Sequence, residues 1–175
     1  MRILLLLLLF FLSPVFADNI AAAKINARLG LAYLSQGYYS QSKTVLLRAI
    51  NEAPNLAATW YSMAFFLEKT GHFDAAARDY QKSISLAPHS GAAKNNYGAF
   101  LCRVKKYPEA IQQFLLAANE KNYLHSDTAY VNAGVCAMKI PDYGLAKKYF
   151  TMALDNNPRQ MLALLFLKRI NLRSR

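Results

Sequence analysis

Apolar and small residues recur along this chain at intervals of three and four, which is the spacing of one face of an α-helix. Residues 94–117 show two such stripes in succession, formed by Tyr97, Gly98, Leu101, Ala110, Phe114 and Ala117. The pattern predicts two helices packed face to face. Gly98 lies where a missing side chain lets the two backbones approach closely. No side chain in the pattern is needed for chemistry.

The same pattern occurs four times. Equivalent small residues are separated by 34, 34 and 36 positions, and they are Gly30, Ala64, Gly98 and Gly134. A 34-residue period with W-x2-L-G-x2-Y, then A-x3-F, then P is typical of the tetratricopeptide repeat, a helical hairpin. We therefore predict an all-α fold, a right-handed superhelical solenoid of four tetratricopeptide hairpins at residues 23–56, 57–90, 91–124 and 127–160. Only the second copy has its tryptophan, Trp60, and the first has Asn26 in that position.

The connection between the third and fourth repeats differs from the others. The larger spacing shows that two residues have been added there, and Asn122 stands where the pattern has proline. A longer, distinctive loop is therefore expected after the third hairpin.

Both ends of the chain carry their own signals. A basic start, ten consecutive apolar residues and a small residue after Pro14 indicate a secretory signal peptide at residues 1–17, cut after Ala17. A membrane anchor is the rival reading, but it needs about 20 apolar residues. Residues 18–22 are predicted to be a linker, and the mature protein to be periplasmic. Peripheral association with the outer membrane, through a partner, is the open alternative.

The predicted carboxyl-terminal helix, residues 161–175, is apolar nearly all round before its basic tail. A helix without a polar face tends to be buried, so a second copy, a partner or membrane is expected to cover it. The alternative is a modest exposed patch.

The net charge of the chain restricts the kinds of partner that it can bind. The net charge of +11 invites a nucleic-acid hypothesis, but an exported protein seldom meets nucleic acid. An acidic protein face, membrane phosphates or cell-wall polymer are the more plausible acidic partners, and a merely solvated basic surface is the alternative. Two local basic clusters are Arg103, Lys105 and Lys106, and Lys168, Arg169, Arg173 and Arg175.

Catalytic, metal and cofactor motifs are not found, so the sequence argues against an enzyme. The three histidines have no partner at metal-ligand spacing, and they are His72, His89 and His125. Cys102 and Cys136 are the only thiols. An oxidising compartment would permit a disulfide, but they leave equivalent helices about 200° apart, so two small buried side chains are the favoured reading.

A binding groove follows from the same helical geometry. Residues about 100° round from those that face the second helix of each hairpin point to the concave side. The predicted partner-binding residues are Leu31, Leu34, Tyr61, Phe65, Asn95, Asn96, Ala99, Asn132, Val135 and Met138. Such a surface suits an extended segment or a helix of another protein. The alternative is that some of these residues only pack between neighbouring repeats.

The export signal, the segment Asn95-Asn96-Tyr97-Gly98 and the run Ala146 to Phe150 together resemble the type IV pilus biogenesis and stability proteins. These are tetratricopeptide pilotins of the bacterial outer membrane. The resemblance implies a non-catalytic exported adaptor that assists assembly or localisation of the pilus secretin. Asp18 stands where the family usually has a lipidated cysteine. The other readings are a general periplasmic scaffold or chaperone-like module and a degenerate paralogue.

Overall fold

The computed structural model describes residues 13–140 and 143–173. The helices in these ranges are α1 (Ser13–Ser35), α2 (Tyr39–Glu52), α3 (Ala57–Lys69), α4 (Phe73–Leu86), α5 (Gly91–Arg103), α6 (Tyr107–Ala118), α7 (Ser126–Ala137), α8 (Tyr143–Asn156) and α9 (Met161–Arg173). No strand occurs in the described part of the chain. The predicted all-α class is confirmed.

The first helix corrects one expectation. Residues 18–22, predicted to be a linker, are helical because α1 runs unbroken from Ser13. Pro14 lies in its first turn, where proline is tolerated, and no glycine or proline follows until Gly30. Residues 1–12 of the predicted signal peptide lie outside the described residues. Among the helices that are described, none is long and apolar enough to cross a membrane.

The chain divides into two compact units, with unit 1 ending at Leu86 and unit 2 beginning at Ala87. In unit 1, α1 packs on α2 and α3 packs on α4, and α3 also contacts both helices of the first hairpin. Its core cluster consists of Leu34, Leu46, Met63 and Phe66. Ser42, a polar residue in the repeat pattern, is fully buried. Its hydroxyl donates to the Gly30 carbonyl at 2.8 Å, which joins the two helices of the first hairpin.

In unit 2, α5 packs on α6 and α7 packs on α8. In addition, α6 contacts α7, and α8 contacts α9. Gly98 allows the close approach that its position predicts. A Cβ atom there would lie 2.9 Å from Phe114 Cδ1 and 3.1 Å from the Ala110 carbonyl oxygen. Both contacts are shorter than ordinary van der Waals distances, so a side chain would force α5 and α6 apart.

The turn inside each of the first three hairpins uses the same left-handed backbone. Gly37 and Gly71 have φ values of 79° and 82°, and Lys105 has a φ of 66°. The three positions are 34 residues apart. Glycine adopts this conformation freely, whereas an L side chain is disfavoured there by about 1–2 kcal/mol. The third hairpin therefore holds a lysine in a conformation that suits glycine.

The loop between α6 and α7 is longer than the other connections between hairpins, as predicted. It comprises residues 119–125, whereas residues 53–56 join α2 to α3. Tyr123 packs directly against Gly91, and Glu120 pairs with Lys94. Leu124 is 91% exposed at the tip. The loop is thus anchored at both sides while one large apolar side chain stays in solvent.

Candidate protein-binding cleft

A surface cleft of about 410 Å³ lies on unit 2 between α5, α7 and the turn that follows α5. We call it the α5–α7 cleft. Its lining residues are Ala99, Cys102, Arg103, Lys105, Tyr107, Phe114, Asn132, Val135 and Lys139. Ala99, Asn132 and Val135 were predicted to bind a partner, and the fold brings these three together.

One side of the cleft is closed by a disulfide between Cys102 and Cys136, whose Cα atoms are 5.9 Å apart. This corrects the expectation of two free buried thiols. The separation of about 200° between the two side chains favours the bridge, contrary to the expectation. Helices α5 and α7 lie side by side in the same direction, so two side chains that face each other must leave their own helices in opposite directions. A separation of about 200° is therefore what a bridge between them requires.

The two asparagines nearest the cleft are bonded to each other. Asn132 Nδ2 donates to Asn95 Oδ1 at 2.9 Å, across α5 and α7. This hydrogen bond and the disulfide occur in the same order along both helices, which fixes their parallel alignment. Asn132 keeps its second N–H donor and its carbonyl oxygen, so it can still bond a ligand from the cleft wall while its position is held by Asn95.

The rim of the cleft is basic. Arg103, Lys105 and Lys139 are exposed, and no carboxylate is present among the lining residues. The left-handed backbone at Lys105 sets this lysine in the turn beside the mouth. Arg103 and Lys105 form a visible basic cluster in the sequence, but nothing in the sequence places that cluster beside Val135 and Ala99. Lys139 follows α7 and was not singled out, because only the fold shows that it faces the same cleft.

The other predicted binding residues are placed differently. Leu34 is 8% exposed and belongs to the core of unit 1, so it is withdrawn from the candidate set. Leu31 and Phe65 pack against that core and remain half-buried. Tyr61 stacks on Phe65 with ring centroids 6.4 Å apart. In unit 2, Asn96 and Met138 are half-buried and do not line the cleft.

The start of α7 is held by hydrogen bonds around Asp127. Asn157 and Gln160 donate to its Oδ2 atom at 2.7 and 2.9 Å. The Thr128 backbone amide donates to Oδ1 at 2.7 Å. Burial raises the pKa of the Asp127 carboxyl, but these hydrogen bonds together outweigh it and the net pKa is lowered. The ionised carboxylate therefore ties α7 to the start of the segment that leads into α9.

Glu120 holds the preceding loop. The pKa of its carboxyl is lowered, chiefly by the hydrogen bond that Lys94 donates. His89 Nδ1 lies 3.6 Å from the same carboxylate. Over the ranges that the structure describes, no three histidine, cysteine or acidic side chains cluster so that they could hold a metal ion.

Comparison with known proteins agrees with the repeat architecture. Two family models, both described as tetratricopeptide repeat, match residues 23–56 and 57–90.

Two curated relatives resemble the chain along most of its length. An uncharacterized protein of Haemophilus influenzae is 34% identical over 116 residues, which are 66% of this chain and 65% of that protein. Type IV pilus assembly protein PilF of Pseudomonas aeruginosa is 29% identical over 133 residues, which are 76% of this chain and 53% of PilF. The chain thus spans between about half and two thirds of these relatives.

Solved structures of tetratricopeptide proteins are also similar to this chain. The structure of PilF from Pseudomonas aeruginosa has a TM-score of 0.80 and 26% identity, covering 90% of this chain and 71% of that one. PilW, described as a widely conserved type IV pilus biogenesis factor, has a TM-score of 0.74 and 26% identity, covering 87% and 70%. YrrB, another tetratricopeptide protein, has a TM-score of 0.66 with 23% identity, covering 84% and 75%, and shows the fold alone. The chain is therefore a tetratricopeptide-repeat protein homologous to the type IV pilus biogenesis proteins PilF and PilW.

Proposed function

We propose that this protein is a non-catalytic exported adaptor of type IV pilus biogenesis that assists assembly or localisation of the outer-membrane secretin. Its homology to PilF and PilW is the observation that carries the pilus assignment. The step from pilus biogenesis to the secretin rests on the resemblance of residues such as Asn95 and Asn96 to the pilotin proteins.

The α5–α7 cleft is the proposed contact surface. Ala99, Val135 and the disulfide at Cys102 offer apolar surface, and Asn132 offers an amide that can bond a peptide backbone. An apolar floor with a few fixed polar groups is what a groove for a protein segment requires. The covalent bridge and the Asn95 hydrogen bond hold the walls in place before binding, which lowers the entropy lost on association.

The proposed export of the protein is supported by its disulfide. Disulfides persist in oxidising compartments such as the periplasm and are rare in the cytosol. The bridge between Cys102 and Cys136 therefore supports the secretory signal predicted at residues 1–17.

Co-purification from pilus-forming cells tests the proposal. Wild-type protein should recover the secretin, and Val135→Asp should lose it, since a buried charge costs several kcal/mol once a partner covers the cleft. Leu116→Asp is the matched control, because Leu116 is 44% exposed on α6 and does not line the cleft. Absence of the secretin from the wild-type sample contradicts the proposal. Recovery of many unrelated exported proteins, all dependent on Val135, indicates a general periplasmic scaffold instead.

A further inference from the structure

The charge around the α5–α7 cleft has one sign. Its mouth carries Arg103, Lys105 and Lys139, while its lining contains no acidic side chain. Among the described residues, neither Lys105 nor Lys139 takes part in an ion pair. Asp142 follows Lys139 closely in sequence but lies outside those residues, so Lys105 is the cation that carries the basic character of the rim.

The backbone at Lys105 gives a second, independent observation. The equivalent turns of the first two hairpins have Gly37 and Gly71 in the left-handed conformation, and the third has lysine. The hairpin turn imposes this conformation in all three repeats, so the feature particular to the third repeat is that a lysine occupies the position. Here the strain sets an ammonium group beside an apolar cleft, where glycine would be the more stable choice.

The volume of the cleft suits a short protein segment rather than a folded domain. Its volume of about 410 Å³ falls within the range of roughly 300–1,000 Å³ that holds small ligands. It can take an apolar side chain with its flanking backbone, whereas a folded domain could only rest on the rim. Apolar floor and basic rim together require a ligand that carries both characters within a few residues.

We propose that the α5–α7 cleft binds an acidic linear protein segment, in which an apolar side chain lies on Ala99 and Val135 and flanking carboxylates face Lys105 and Lys139. This inference rests on the proposed function and names the chemistry of the segment. Asn132, held by Asn95, bonds the backbone of the segment. The positive rim speeds encounter with such a segment and rejects basic ones.

Two fluorescent hexapeptides test the inference by anisotropy with the disulfide-intact protein. One is Asp-Glu-Leu-Phe-Glu-Asp and the other is its amide counterpart, Asn-Gln-Leu-Phe-Gln-Asn. The acidic peptide should bind at least about tenfold more tightly at low salt, and this advantage should shrink as salt screens the rim. Exposed ion pairs contribute about 0.2–1 kcal/mol, so Lys105→Gln should weaken binding of the acidic peptide by about 1.4- to fivefold and leave binding of the amide peptide unchanged.

Two further variants separate charge from folding. Lys105→Gly removes the ammonium group but relieves the backbone, so it should weaken the acidic peptide as Lys105→Gln does while raising thermal stability. Lys121→Gln is the charge-matched control, because Lys121 is exposed in the α6–α7 loop and does not line the cleft. Equal affinity for the two peptides, or equal effects of the Lys105 and Lys121 variants, overturns the inference.

Other outcomes are equally decisive. If vesicles containing anionic phospholipid bind in a Lys105-dependent way and the acidic peptide does not bind, the cleft recognises a membrane surface and the inference is wrong. If Val135→Asp loses the pilus partner in cells but Lys105→Gln and Lys105→Gly keep it, the proposed function stands and only the acidic character fails. If Val135→Asp itself keeps the partner, the proposed function fails first.

Discussion

Opening the Cys102–Cys136 disulfide should destabilise unit 2 strongly. The bridge joins residues 34 positions apart. In the chain-entropy relation for cross-links, a loop of this length constrains the unfolded chain by about 3.8 kcal/mol at 25 °C. Since domains are stable by only about 5–15 kcal/mol, this is a large share of the free energy of unfolding.

The substitutions should leave no new defect. Cys136 is fully buried, and a serine there would bury a hydroxyl group, so Cys136→Ala is preferred. Cys102 is half-buried in the cleft wall. Cys102→Ser keeps a similar volume there, and the hydroxyl group can bond to water. Urea unfolding of the double variant should show a loss of about 2–4 kcal/mol, and wild-type protein in reducing agent should lose a similar amount. Reducing agent should leave the double variant unchanged, which controls for any other effect.

Limited proteolysis locates the effect. Chymotrypsin should cut near Leu124, the most exposed large apolar side chain described, which lies inside the disulfide-closed segment. The two fragments should stay joined in oxidised wild type and separate after reduction. A free-energy loss below about 1 kcal/mol in both the variant and the reduced protein would refute the reasoning that the bridge stabilises unit 2.

Three other predictions follow from particular contacts. Gly98→Leu should destabilise the protein by at least about 1–3 kcal/mol, because the side chain would overlap the second helix of the hairpin; an unchanged melting temperature would show that the helices can separate freely. The pKa of the Asp127 carboxyl is lowered in the folded protein, so its ionised form stabilises the fold above the ordinary pKa of 3.8, and this contribution disappears as pH falls through the lower folded value. The difference in unfolding free energy between wild type and Asp127→Asn should therefore narrow below about pH 4. A difference that stays constant with pH argues against this role of Asp127. Met161 and Leu165 are 79% and 60% exposed on one side of α9, so Met161→Glu with Leu165→Glu should abolish any self-association seen by light scattering without loss of helix content; a monomer in both cases removes the proposal that a second copy covers α9.

The repeat pattern predicted the fold because each of its positions has one physical role. Gly98 and Gly134 lie against Phe114 and Phe150 as the spacing requires. The longer connection before α7 was also visible as two added residues. The helical character of residues 18–22 was not anticipated, since the assumed linker followed from the predicted cleavage site rather than from local helix propensity.

Substitutions in the tryptophan position carried a signal that sequence reasoning missed. Asn26 donates to both carboxylate oxygens of Glu52 at 3.0 and 2.8 Å, and Lys94 pairs with Glu120. In both hairpins the polar residue meets a glutamate 26 positions later, at or just beyond the end of the second helix. The two copies that have an aromatic residue there, such as Trp60, lack that glutamate.

The binding site could be predicted only in part, because helical rotation gives a direction and not the neighbours. It assigned Ala99, Asn132 and Val135 to a common face, which the fold brings together. It could not show that Leu34 is covered by its own unit, nor that Lys139 joins Lys105 at one cleft. Those outcomes depend on how hairpins pack against each other.

The proposed function requires the α5–α7 cleft to contact the pilus secretin. The most direct measurement places a photoreactive phenylalanine at Val135 in cells that assemble pili, with the same group at Leu116 as the control, and identifies the adducts by mass spectrometry. A secretin adduct should form from Val135 and should be absent from Leu116. Failure to form a secretin adduct at Val135, or equal yields from the two positions, would contradict it.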